Sequence, residues 1–370
     1  MIDRRLLQHF DWVLLGLTLL LGGIGILTLY SAATANVDIT GVKGVVHLKQ
    51  SYWLAIGTGI MILLFLFNYR WLNRLALPIY CFSIGLLVAV LFVGKEVSGS
   101  QRWLILGPVS FQPSELVKIT LVIMLARHFS ESVSEEGFSL VGLWKPLIWI
   151  LIPFALIVKQ PDLGTSLIVL LIAASVILFV KIERRTLLCL TGTGILASML
   201  AWFFLKGYQK QRILAFLDPE GDPLGAGYHI IQSKIAVGSG MLFGKGFLKG
   251  TQNALSFLPE HHTDFIFSVL AEEWGFLGAG LVILLYVLLL IWGLSVAVRS
   301  KEPFGTILAV GLTSMIFWQT LINLGMALAL LPVVGVPLPL ISYGGSSMLV
   351  SMIAIGILLN ISMRRFLFKE

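Results

Sequence analysis

Four short stretches of this 370-residue chain gather side chains able to move protons or hold phosphate. "LPEHHTDFIF" (258–267) puts Glu260, His261, His262 and Asp264 within five positions, just before an apolar run. "GSQRWLILGPVSFQPSELVKI" (99–119) carries Arg102, Trp103, Gln112, Glu115 and Lys118; "KQPDLGTS" (159–166) carries Asp162. "PVVGVPLPLISYGGSS" (332–347) holds Ser342 among three prolines and three glycines, too many for a regular helix. Glu115 and Lys118 are three apart and share a helical face, as an internal ion pair, a substrate contact or both. Asp162 suits an N-cap as well as a site. A helix starting near Thr263 sets Asp264, Ser268 and Glu272 on one polar stripe, with Asp264 in the first turn either as a cap or as a chemical group. The histidines match no zinc spacing. "GSGMLFGKG" (238–246) fails the phosphate-loop pattern, since Lys245 is followed by Gly246 rather than Ser or Thr.

The elements that position these residues are membrane spans. The chain is 57% apolar and 12% charged, with a mean hydropathy of +0.94, where soluble domains run near 45–50% and 25%. Continuous apolar runs, rather than runs alternating with period two, indicate helices and not a β-barrel. Ten spans are expected, near 11–32, 51–68, 74–94, 112–129, 145–160, 163–180, 186–206, 274–298, 305–330 and 346–363. The N-terminal "MIDRRLLQHFDW" precedes an apolar run without a cleavage signature and reads as an uncleaved first span. Cys81 and Cys189 read as small buried hydrophobes. The net charge of +7 is a topology signal rather than a sign of nucleic-acid binding.

Basic residues (Arg4, Arg5, Arg70, Arg74, Lys181, Arg184, Arg185, Arg299, Lys301, Arg364, Arg365, Lys369) fall on one set of ends. This places both termini in the cytoplasm. The four stretches then lie at the external ends. Residues 207–263, between spans seven and eight, form one large extracytoplasmic loop carrying Arg212 and Lys234, in which "AGYHIIQSKIAVGSG" suits a short interfacial or re-entrant helix. The chain is read as a single transmembrane domain, 1–370. Ionisable groups at membrane depth cost roughly 2.5–3.5 kcal/mol each, so they point to function.

Together the blocks "QRWL...G..FQPSE..K", "QPDLGTS", "DPLGAGYHIIQSKIAVGSG...GKG", "LPEHHTDFIFSVLAEEWG" and "LPVVGVPLPLISYGGSS" resemble the SEDS family (shape, elongation, division and sporulation), over nearly the whole chain. The compact length and absence of a long N-terminal tail match its rod-shape members. The resemblance implies ten α-helical spans in the bacterial inner membrane. It implies a peptidoglycan glycosyltransferase that polymerises lipid II into β-1,4 glycan strands during cell elongation, working with a class B penicillin-binding protein. In the family pattern the aspartate of "HTDF", here Asp264, is the essential residue. Trp103, Glu115, Lys118 and Glu260 fall on positions tied to activity or to the central cavity.

The residue types suit that reaction. An α-linked diphosphate donor giving a β product inverts the anomeric carbon, which needs a base on the acceptor hydroxyl and no enzyme nucleophile. The leaving diphosphate needs positive charge, for which Arg102, Lys118, Arg212 and Lys234 are candidates, and it leaves room for Mg2+ or Mn2+ held partly by the substrate. A lipid II flippase is the alternative. A transporter wants its sites near the midplane and open to both faces, whereas these charges sit at external ends. A scaffold would not need Glu115, Lys118 and Asp264 at membrane depth.

Overall fold

The computed structural model describes residues 10–35, 45–97, 100–107, 109–132, 137–222, 225–254 and 262–364. Glu260 and His261 lie outside them. Helices α1 (Trp12–Ala35), α2 (Val46–Leu66) and α3 (Arg70–Val93) lead into strands β1 (Lys95–Val97), β2 (Ser100–Leu106) and β3 (Val109–Phe111). Then follow α4 (Pro113–Glu131), α5 (Trp144–Lys159), α6 (Leu163–Phe179), α7 (Arg184–Phe204), α8 (Gly207–Leu217), α9 (Ala226–Ser239) and the single turn α10 (Thr251–Ala254). The chain finishes with α11 (Ile266–Arg299), α12 (Pro303–Ala327) and α13 (Gly345–Arg364).

Each of the ten expected spans coincides with a helix. Seven, namely α1, α2, α3, α7, α11, α12 and α13, are long and apolar enough to cross a membrane among the described residues. The other three are α4, whose Glu115, Lys118, Arg127 and Glu131 dilute its apolar character, and the shorter α5 and α6. The protein is an α-helical multi-pass membrane protein. Its centre is α12 packed on α4, α6 and α11, with α13 against α2. By contrast α7 stands apart, with Thr186 as its one buried side chain. Cys81 and Cys189 are exposed on outward helix faces, contrary to the burial expected of them. Lipid rather than protein surrounds these apolar runs, so an apolar position there need not be an interior one.

Two departures from the expected pattern bear on the site. First, the segment after α3 is not a plain loop. Its alternating β-formers pair as a small antiparallel sheet in the order β1-β2-β3, which sets Trp103 opposite Lys95 and Leu104 opposite Phe111. Second, α11 begins at Ile266, eight residues before the expected span, and breaks at Gly275 (φ 65°, ψ −165°). The break frees the carbonyls of Glu272 and Glu273 and the N–H groups of Phe276 and Leu277. Residues 241–246 replace the lost helical bonds one for one. Phe276 N donates to Met241 O (2.8 Å) and Leu277 N to Leu242 O (3.1 Å), while Lys245 N and Gly246 N donate to Glu272 O and Glu273 O (3.0 Å each). A Cβ on Gly275 would stand 2.2 Å from Gly244 N. The glycine-rich "GSGMLFGKG" is therefore a backbone plug for a broken helix. Of the long segment 207–263, α8 and α9 are helical, with α9 falling on the helix expected there.

Candidate active site

A polar stripe of Asp264, Ser268 and Glu272 requires a helix start near Thr263, whereas α11 starts at Ile266, with Phe265 as N-cap and no side-chain cap. Asp264 thus sits in a turn ahead of the helix, half-buried, and neither caps α11 nor shares a stripe with Ser268 and Glu272. Ser268 Oγ meets Ser233 Oγ at 2.7 Å. Glu272 turns to the plug, accepting from Lys245 Nζ (2.6 Å), Thr251 N (2.8 Å) and Thr251 Oγ1 (3.0 Å).

What holds Asp264 is the irregular segment 332–344 between α12 and α13. Such backbone at membrane depth must find its hydrogen bonds inside the protein, and it does. Asn323 Nδ2 donates to Val336 O (2.7 Å) and to Asp264 O (3.0 Å). Ser342 Oγ accepts from Leu338 N (2.7 Å) and donates to Thr263 O (2.6 Å), and Tyr343 N donates to His262 O (2.9 Å). Gln50 Nε2 donates to Ser342 O (2.9 Å), and its Oε1 accepts from Gly344 N (3.2 Å). Tyr286, deep in α11, donates to Pro339 O. Gly335 (φ 74°) lies against the carboxylate: a Cβ there would be 3.5 Å from Asp264 Oδ2.

A second hub is Asp162, almost fully buried. As expected it caps α6, accepting from Thr165 N (3.2 Å), and it also receives Thr165 Oγ1 (3.0 Å), Gln112 Nε2 (3.1 Å) and the Arg102 guanidinium (3.7 Å). Gln112 N donates to Ser346 Oγ (3.1 Å) at the head of α13. Hydrogen bonds and short chain segments thus lead from Arg102 through Asp162, Gln112, Ser346, Gln50 and Ser342 to the Asp264 turn. The network also draws together the N-terminal ends of α2, α4, α6 and α13.

Glu115 and Lys118 form an ion pair of 2.7 Å inside α4's buried face, with Lys118 0% exposed. Among the described residues Glu115 Oε2 makes no hydrogen bond. Trp103 is half-buried on β2. Arg212, exposed on α8, donates to Val333 O (3.3 Å) and so touches the 332–344 segment. Lys234 is exposed on α9 and joins none of these contacts among the described residues. Burial raises the Tyr343 hydroxyl above a phenol's usual range, keeping it neutral. Among the described residues no three His, Cys, Asp or Glu side chains form a metal-ligand set. Gln50 and Asn323 did not stand out in the sequence. Their signal was a polar residue at a span position, where it needs a partner.

Helices surrounding an irregular segment, with a carboxylate and buried ion pairs at their gathered N-terminal ends, define a multi-pass membrane protein with a polar site built from several spans. The chain belongs to the FtsW/RodA/SpoVE family of cell cycle proteins, whose sequence model matches residues 11–366. It is 46% identical to the Escherichia coli K12 peptidoglycan glycosyltransferase MrdB over 317 residues, covering 84% of each chain. It is 37% identical to the Bacillus subtilis stage V sporulation protein E, covering 95% of this chain and 96% of that one. A chain from a peptidoglycan synthase complex, described as coordinating polymerization and crosslinking, superposes with a TM-score of 0.82 at 32% identity, covering 98% of this chain and 99% of that one. The Thermus thermophilus rod shape determining protein RodA superposes with a TM-score of 0.71 at 31% identity, covering 96% and 98%.

Proposed function

We propose that this protein is a peptidoglycan glycosyltransferase of the bacterial inner membrane. It polymerises lipid II on the extracytoplasmic face during cell elongation, in a complex with a class B penicillin-binding protein. The chain crosses the membrane ten times with both ends in the cytoplasm, and 1–370 is one transmembrane domain. The observation carrying this reading is the meeting of four helix N-termini beside Asp264. Each N-terminus presents the positive end of a helix dipole, which favours a diphosphate.

In this reading Asp264 accepts the proton of the acceptor 4-hydroxyl as its oxygen attacks the anomeric carbon. The C1–O bond to the diphosphate breaks as the new one forms, the carbon inverts, and undecaprenyl diphosphate leaves with the bonding pair. Arg102, held in place by Asp162, and Arg212, beside Val333, supply positive charge to the leaving group. Lys118 is neutralised by Glu115, so that pair sets the shape and polarity of the α4 wall. Trp103, Gln112, Glu260 and Ser342 contact or frame the substrate, with Lys234 at its outer edge. Mg2+ or Mn2+ enters with the substrate diphosphate, which holds it in part.

The test is polymerisation of labelled lipid II in detergent by the purified complex with its transpeptidase serine disabled. No membrane separates two compartments there, so flipping alone gives no polymer. Asp264→Asn should abolish glycan strands while leaving the complex intact. Full activity of that variant rules out the base assignment. EDTA should stop the reaction and Mg2+ or Mn2+ restore it; undiminished activity in EDTA assigns the diphosphate to the arginines alone.

A further inference from the structure

The plug that completes the broken α11 has a second face. Met241 (80% exposed), Leu242, Phe243 (75%), Phe247 and Leu248 are all turned outward. Met241 and Leu248 hold positive φ (51° and 63°), a conformation bulky residues avoid unless the surroundings fix it. At Met241 the backbone bond from Phe276 fixes it, and at Leu248 a backbone hydrogen bond to the Glu273 carboxylate does so. The loop's nearest cation is turned the other way, with Lys245 reaching inward to the fully buried Glu272 and to Thr251 Oγ1 (2.7 Å).

The height of this face follows from α11. Phe276 precedes Arg299 by 23 residues, about 35 Å of helix at 1.5 Å per residue. The hydrocarbon core is about 30 Å. With Arg299 at one interface, Phe276 and Leu277 reach the other, and Met241 and Leu242 are bonded to them. The apolar loop is continuous with outward residues of two spans, Phe276 (71% exposed), Leu277 and Leu281 on α11, and Tyr30 of α1, which stacks on Phe247 at 6.3 Å.

We propose that residues 241–248 are a membrane wedge. Met241, Leu242, Phe243, Phe247 and Leu248 insert among the acyl chains of the adjacent leaflet and fix the height of the loop that leads to Asp264. The occupant is phospholipid, because the patch extends two lipid-facing flanks and its one inward-drawn lysine removes charge from the surface. Lys249, exposed at the patch edge, can reach the headgroups.

The experiment places a spin label at Phe243→Cys in a Cys81→Ser, Cys189→Ser background, with the protein in vesicles of phosphatidylethanolamine and phosphatidylglycerol. Leu284→Cys on α11 is the lipid control and Glu220→Cys the aqueous one. The label at 243 should be relaxed by oxygen more than by a water-soluble nickel chelate, as at 284. A tryptophan-free check is bimane at the same cysteine, which brominated acyl chains should quench. Relaxation like that at 220, with no quenching by brominated lipid, overturns the proposal and leaves the patch to a protein partner. If Phe243→Cys lowers the folded yield, Met241→Cys gives the same readout two loop positions away.

Discussion

Asn323 donates its amide hydrogens to two main-chain carbonyls, those of Asp264 and Val336, and so fixes the carboxylate's backbone against the segment facing it. Asn323→Leu removes the donor from the buried Val336 carbonyl, at roughly 1–3 kcal/mol, and from the partly buried Asp264 carbonyl at less. If part of that is spent as misplacement of Asp264, kcat should fall by about ten- to a hundredfold with KM little changed, as measured by lipid II polymerisation; equal loss in KM would assign Asn323 to substrate binding instead. Gln50→Ala, which releases both Ser342 O and Gly344 N, should act in the same direction. Asp264 itself was legible in the sequence as a carboxylate at the head of an apolar run. Its place ahead of the helix rather than in it was not, because the turn is held by Ser342 and Tyr343 bonding Thr263 and His262, residues some eighty positions away.

Helix α4 carries Glu115 and Lys118 with almost no exposure. Removing one partner strands the other, a cost of about 3–5 kcal/mol for buried pairs. Glu115→Ala should therefore lower both thermal stability and activity, followed by size-exclusion thermal melts. The exchange of Glu115→Lys with Lys118→Glu should restore stability; restoring full activity as well would make the pair's role structural alone. In α11, Gly275→Ala forces a Cβ onto Gly244 N and should release the plug, seen as new protease cleavage between 241 and 252. The spans were readable because hydropathy over some twenty residues is a strong signal. The first part of α11 was readable as a helix starting near Thr263 but not as part of the span, because Glu272 and Glu273 interrupt its apolar pattern, and only the backbone bonds of 241–246 show where their carbonyls are satisfied. The β-strands after α3 are too short for periodicity to separate them from a loop.

Across the whole molecule, the site is assembled from ends of helices far apart in the chain: Gln50, Gln112, Asp162, the 262–264 turn, Asn323 and Ser346. No contiguous piece contains it, which is why sequence stretches could name its members but not their order of contact. That arrangement also dictates a schedule for biogenesis. Residues 332–344 lie between the last two membrane helices, and their hydrogen-bond partners outside the segment include residues 50, 212, 262, 263, 286, 323 and 326. A nascent chain leaving the insertion machinery carries Asp264 well before the segment that orients it has emerged, and Ser346 reaches Gln112 only after α13 begins to enter. The site therefore has all its parts only once α13 has been made. A pulse-labelled chain stalled after Ala327 should be inserted, yet protease should cut it near the Asp264 turn; protection of that turn before α13 emerges would contradict this order.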